Sequence, residues 1–233
     1  MGTYRTPSAL AIVVLGLLVS PSAEAAGGAC PTGAGYVSPT DPTGPRVTLS
    51  SLGITSCYFI SAKGSDSAAG TSEHVPWLHA PGMPGCSSAC AGVTPAAGEG
   101  FIFEGGGSWH HSSGSPARGK WAWTESGSSW SSPIYIGVDP TWYSGSSFAR
   151  PVINMDNPLS TGTVSSCVYD DDSTQAIDLS GTSNVYLDNF EFTGACSTGS
   201  GYGGYIYSGA KVIVENVYIH GWTLTAWPWR VAG

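Results

Sequence analysis

Asn184-Val185-Tyr186-Leu187-Asp188-Asn189-Phe190-Glu191-Phe192-Thr193-Gly194 is matched by Lys211-Val212-Ile213-Val214-Glu215-Asn216-Val217-Tyr218-Ile219-His220-Gly221 at a constant offset of 27 residues. In each copy two apolar residues alternate with outward ones, an acidic residue and an Asn interrupt, and the alternation resumes one residue out of phase. A flat strand does not tolerate that slip, because moving by one residue turns every side chain to the other face. The slip is accommodated if the chain bends at the Asn, which enters the left-handed region more readily than most residues. Both apolar pairs, Val185 and Leu187 with Phe190 and Phe192, then point into one interior, as do Val212, Val214, Val217 and Ile219. Two short strands meeting at a corner and repeating at a fixed period predict a parallel β-solenoid. Asn189 and Asn216 would stack one strand spacing apart, with their amides forming a ladder.

Outward from this repeat, Pro133–Gly137, Arg150–Asn154 and Ala176–Leu179 read as further short strands with longer loops. The Gly-, Ser- and aromatic-rich composition belongs to an all-β chain rather than a helical one. Charged residues make up 10% of the sequence and the formal net charge is −8, so nucleic acid and anionic membrane surfaces are poor partners. Arg5, the apolar run Ala9–Val19 and the small-residue site Ala23–Ala25 read as a signal peptide over residues 1–25. The run is too short to span a bilayer, and no later segment is apolar enough to do so. An exported monomer is expected, with a loosely attached Gly/Pro/Ser/Thr-rich lead-in over 26–56 and one domain over 57–233. An even set of cysteines in such a chain favours disulfides. Cys86 and Cys90 could close a short loop and Cys167 and Cys196 flank one coil, leaving Cys30 with Cys57. Spacing alone leaves the other pairings open.

The segment Cys57-Tyr58-Phe59-Ile60-Ser61-Ala62-Lys63-Gly64-Ser65-Asp66, followed by Gly70-Thr71 and Pro76-Trp77, resembles the opening signature of the right-handed parallel β-helix proteins of the pectate-lyase-like superfamily. Pro95–Glu99 and Phe101–Phe103 with Gly105-Gly106 resemble the turn and first coil that follow. The chain departs from the pattern at Pro81, Gly82, Pro84 and Gly85, which break the usual capping helix. A short turn or irregular cap is expected there. The resemblance implies the N-terminal part of a β-helix stack that acts on a polysaccharide or cell-surface glycan, as a polysaccharide lyase or glycoside hydrolase. A non-catalytic glycan-binding, adhesin or cell-envelope role is the alternative. The family's catalytic groove lies towards the middle of a longer stack, so much of the active site is expected beyond Gly233, unless Trp222, Trp227 and Trp229 fold back as a terminal cap.

Candidate chemistry is sparse. Asp170, Asp171 and Asp172 repel one another and would gain from a hard cation, which makes them the candidate calcium ligands. Trp109, Trp121 and Trp123 lie in a Ser/Gly-rich stretch with Trp130 and Trp142. They read either as a platform that stacks on sugar C–H faces or as a cover for the N-terminal end of the solenoid. Glu191 and a neighbour in the next coil would face a groove. No triad spacing accompanies any histidine, so His110, His111 and His220 read as polar loop or strand-end residues, and no catalytic set is identified.

Overall fold

The computed structural model describes residues 1, 26–32, 35–36, 47–110, 121–156, 176–195, 205–206, 211–220 and 230–231. Two short strands, β1 (Gly35–Tyr36) and β2 (Val47–Thr48), pair antiparallel, and a 3-10 turn over Ser50–Leu52 follows. β3 (Ser56–Ile60) leads into a cap whose only helix is α1 (Ser88–Ala91). Strands then come in sets of three: β4 (Glu99–Gly105), β5 (Ser108–His110) and β6 (Trp121–Ala122); β7 (Ile134–Tyr143), β8 (Val152–Asn154) and β9 (Ile177–Asp178). The third and fourth sets are β10 (Ser183–Asp188), β11 (Glu191–Thr193) and β12 (Tyr205–Ile206), then β13 (Lys211–Glu215), β14 (Tyr218–Ile219) and β15 (Arg230–Val231).

The first strand of every set joins one five-stranded sheet, ordered β13-β10-β7-β4-β3, and the second joins a four-stranded sheet, β14-β11-β8-β5. Every pair in both sheets is parallel, as are β6 with β9 and β12 with β15. The described residues are thus mostly β, almost without helix, and their parallel sheets fit a β-helix.

The sequence repeat lies in register. Leu187 pairs with Val214 and Phe192 with Ile219, each 27 residues on. Asn189 and Asn216 have φ of 69° and 52°, so the chain bends at both corners through the left-handed region. The expected amide ladder is replaced by another bond. Asn216 Nδ2 donates to Asp188 Oδ1 at 2.8 Å, because a carboxylate one row below is a stronger acceptor than a neutral amide.

Columns of like residues build the interior. Tyr58, Phe101, Ile136, Leu187 and Val214 follow one another across the first sheet, and Trp109, Ile153, Phe192 and Ile219 across the second. Tyr58 stacks between Trp77 and Phe101 at 4.7 and 5.4 Å, and Phe103 meets Phe190 edge-on at 4.9 Å. The residues of the opening signature prove to be what seats Trp77. Gly70 holds φ 70° under its ring, where a Cβ would lie 2.3 Å from Cε2, and Ala68 O accepts the indole N–H at 2.9 Å. Buried Asp66 ties down the cap by accepting the N–H groups of Leu78, His79 and Ser87.

The lead-in segment is not loose where it is described. Leu49, Leu52 and Ile54 are buried against Phe59, Ile102, Tyr135 and Tyr186 on the outer face of the first sheet, and the Cys30–Cys57 disulfide fastens it. These outward residues are large and apolar, so the face needs a cover, and three well-spaced apolar residues in a Ser/Thr-rich stretch suffice. Cys86–Cys90 is the second disulfide; Cys167 and Cys196 lie outside the described residues.

Further along the same outer face, Asp188 and Glu215 are register partners. Tyr135 Oη and Asn216 Nδ2 donate to the two oxygens of Asp188, while the buried Oε2 of Glu215 has no hydrogen-bond partner. Burial, and then the charge of Asp188, push the Glu215 carboxyl above the ordinary glutamate range.

Two outcomes follow from the packing. Leu187 is fully buried between two neighbours in its column, whereas Val214, in the last row, is 37% exposed. Leu187→Ala should therefore cost about 2–5 kcal/mol in urea unfolding, and Val214→Ala about 1 kcal/mol or less. Equal losses would mean that Val214 is as fully enclosed as Leu187. The second outcome concerns pH. A folded-state value raised above the unfolded one stabilises the fold fully only below the unfolded pKa, and that contribution is lost as pH rises through the folded value. Glu215→Gln should thus raise Tm at neutral pH and leave it unchanged near pH 4. Thermal unfolding at both pH values checks this, and a neutral-pH Tm no higher than wild type would refute it.

Candidate functional site

Alternation along the second sheet divides its residues cleanly. Trp109, Ile153, Phe192 and Ile219 point inward, so their neighbours point out. One outward row runs Ser108, Val152, Glu191, Tyr218; the next runs His110, Asn154, Thr193. His220 extends β14 beside this second row, with its N–H donated to Phe192 O at 3.1 Å. The inward column holds these strands rigidly, which fixes where the outward groups stand.

Two imidazole–carboxylate pairs form on this face. His110 Nδ1 lies 2.5 Å from Asp156 Oδ1, and its Nε2 lies 3.1 Å from Ser108 Oγ. The histidine side chain is 48% exposed and the aspartate side chain 10%. Asp156 is held by its own turn: it adopts φ 65°, which Asp tolerates better than most residues, and its N–H donates to Asn154 Oδ1 at 2.8 Å. The second pair is His220 Nε2 with Glu191 Oε1 at 2.7 Å, and the imidazole stacks on the ring of Tyr218 at 4.5 Å. Tyr218 is 51% exposed. Beside them, Arg150 Nε donates to Asn216 O at the corner.

The register brings both carboxylates to one row of this face. Asn154 pairs with His110 and Thr193; the Asp156 carboxylate reaches back to His110 in that row, and the Glu191 carboxylate reaches forward to His220 beside it.

A separate acidic group borders the lead-in segment. Glu73 and His74 line a shallow depression of about 290 Å³ with Ala29, Pro31, Phe59 and Thr71. Burial, then the charge of Asp139, push the Glu73 carboxyl up, His74 opposes the shift, and Glu104 adds to it. Among the described residues no group of three or more His, Cys, Asp or Glu side chains is placed to hold a metal ion. Asp170, Asp171 and Asp172, the expected calcium ligands, lie outside the described residues.

The tryptophans expected at a sugar platform are in the core instead. Trp109, Trp121 and Trp123 are 6%, 0% and 2% exposed, and their indole N–H groups donate to Leu78 O, Pro81 O and Glu125 O. Their rings meet Phe103, Phe190 and Phe101 edge-on or tilted within the core. Two of the three partners, Leu78 and Pro81, belong to the cap, so covering the N-terminal end is the role their placement matches. Trp130 and Trp142 lie on the outer face of the first sheet, against Tyr186 and Phe59. Glu191 does meet a neighbour from the next coil, His220. His110 and His220, read from the sequence as polar loop or strand-end residues, are each paired with a carboxylate, and His111 lies outside the described residues.

No protein-family model matches the sequence, and no curated protein is similar to it. Among solved structures, the chain is similar to the GH136 lacto-N-biosidase from Eubacterium ramulus, as native protein and as selenomethionine derivative. The identities are 18% and 17% and the TM-scores 0.42 and 0.43, over 70% of this chain and 27% of that one. It is also similar to a rhamnogalacturonan lyase at 16% identity and TM-score 0.38, over 64% of this chain and 38% of that one. The chain thus spans well under half the length of each of these carbohydrate-active enzymes.

Proposed function

We propose that this chain is part of a right-handed parallel β-helix that works outside the cell and holds an extended, neutral glycan along the outward face of its second sheet. The observation that carries the reading is the cluster of Tyr218, His220 and Glu191. An exposed aromatic ring there stands beside an imidazole and a carboxylate that already share a hydrogen bond. Sugars present alternating C–H faces and hydroxyls, and an aromatic surface with fixed donors and acceptors beside it meets both. Parallel strands about 4.8 Å apart continue this outward face through Ser108, Val152, Glu191 and Tyr218, a length that suits an extended ligand.

Three further features support the reading. The three-strand sets recur in the same order through four turns of the chain, as a β-helix requires. Two disulfides suit an oxidising compartment. The net charge of −8 repels polyanions, which favours a neutral glycan over a polyuronate unless a cation bridges the two. Binding is the role that Tyr218, His220 and Glu191 support at this face.

A panel of neutral and uronate polysaccharides, read by affinity electrophoresis, tests the proposal. A neutral polymer should retard the protein, and Tyr218→Ala should weaken that binding by roughly tenfold, the ~1–1.5 kcal/mol of an aromatic contact, with Tm unchanged. Absence of binding to every neutral polymer, or a Tyr218→Ala variant that binds as well as wild type, would remove the reading.

A further inference from the structure

We infer that Ser108, His110 and Asp156 form a nucleophilic triad that hydrolyses acyl esters. The three groups stand in the order such chemistry needs. Ser108 Oγ lies 3.1 Å from His110 Nε2, and Nδ1 of the same ring lies 2.5 Å from Asp156 Oδ1. A carboxylate on Nδ1 holds the proton on that nitrogen, which leaves Nε2 as the acceptor facing the hydroxyl.

The arrangement is held from three sides. Ser108 and His110 are two positions apart on β5, so both project from the same face. Trp109 between them is buried and bonded through its indole to Leu78 O. The Asp156 side chain is 10% exposed, and its backbone is tied to Asn154. Ser108 itself is exposed, so a substrate can reach Oγ. Val152 N donates to Gly107 O at 2.9 Å, and parallel ladders engage alternate residues. The Ser108 N–H is therefore on the side of β5 that β8 does not use, and it serves as the donor to the oxyanion.

The step balances without any redox partner. Oγ attacks the ester carbonyl carbon as Nε2 takes the hydroxyl proton. The tetrahedral intermediate collapses, its C–O bond to the alcohol breaks, and the imidazolium returns the proton to the departing alkoxide. Water then attacks the acyl-serine, with one of its protons passing through Nε2 back to Oγ, and a carboxylic acid leaves. The substrate class is an acyl ester of an alcohol. That the alcohol is a glycan hydroxyl, as in an O-acylated polysaccharide, rests on the binding reading above; the triad itself does not.

The test uses para-nitrophenyl acetate and a fluorophosphonate label on the purified chain, with Tm as the control for folding. Wild type should release nitrophenol and take the label on Ser108, located by peptide mass spectrometry. Ser108→Ala should abolish labelling, and Ser108→Ala, His110→Ala and Asp156→Asn should each lower turnover by at least about a hundredfold without moving Tm. Folded wild type that neither hydrolyses the ester nor takes the label overturns the triad, as does turnover by Ser108→Ala within twofold of wild type. Because the probe carries no sugar, ester turnover without glycan binding sinks only the glycan reading, and binding without turnover sinks only the triad.

Discussion

Two apolar pairs that lie out of phase can share an interior only if the backbone turns between them, and Asn189 and Asn216 make that turn at positive φ. With the corner in place, each strand on one side feeds a partner on the other, and parallel stacking puts like residues in columns. The Leu187 and Phe192 columns are the consequence. Every other feature hangs on them: the aromatic interior, the need for a cap over its first layer, and two outer faces whose composition is decoupled from the core.

That decoupling accounts for the different fates of the two outer faces. The first sheet sets Phe59, Ile102, Tyr135 and Tyr186 outward, and the chain spends its lead-in segment covering them. Where that apolar cover gives way to Asp188 and Glu215, a carboxyl is left partly desolvated beside a like charge. The second sheet sets Ser108, His110, Glu191 and Tyr218 outward. A polar face needs no apolar cover to be stable.

Legibility in the sequence follows the range of the interaction involved. The repeat, its corner and its register are local patterns of apolar and polar residues, and they could be read from residues 184–221 alone. The same reading set Glu191 outward together with a neighbour in the next coil, and His220 is that neighbour. It missed the site at His110 because Asp156 lies 46 residues away and reaches the imidazole only through the pairing of β5 with β8. A Ser-x-His step on a strand was the available signal, since both side chains must then share a face. The tryptophans were ambiguous for the opposite reason. A Trp-x-Trp step has the same alternation whether its rings face solvent or core, and only the folded chain, which sets Pro81 O against Trp121 and Glu125 O against Trp123, decides between them.

Stacking also shapes how such a surface acquires chemistry. Within one strand, outward residues are two positions apart, which suits a serine and a histidine that must touch. Between strands, the spacing suits a carboxylate from the next coil that orients the same ring. A site can therefore be assembled from two adjacent coils without disturbing the interior, because inward and outward positions alternate. Ser108, His110 and Asp156 use coils one and two in this way, and Glu191 and His220 use coils three and four. Both pairs depend on inward neighbours, Trp109 in one case and Phe192 with Ile219 in the other, to hold the strands in register. The aromatic core is thus the part of the molecule that sets the geometry of its outer face, although its own rings are buried.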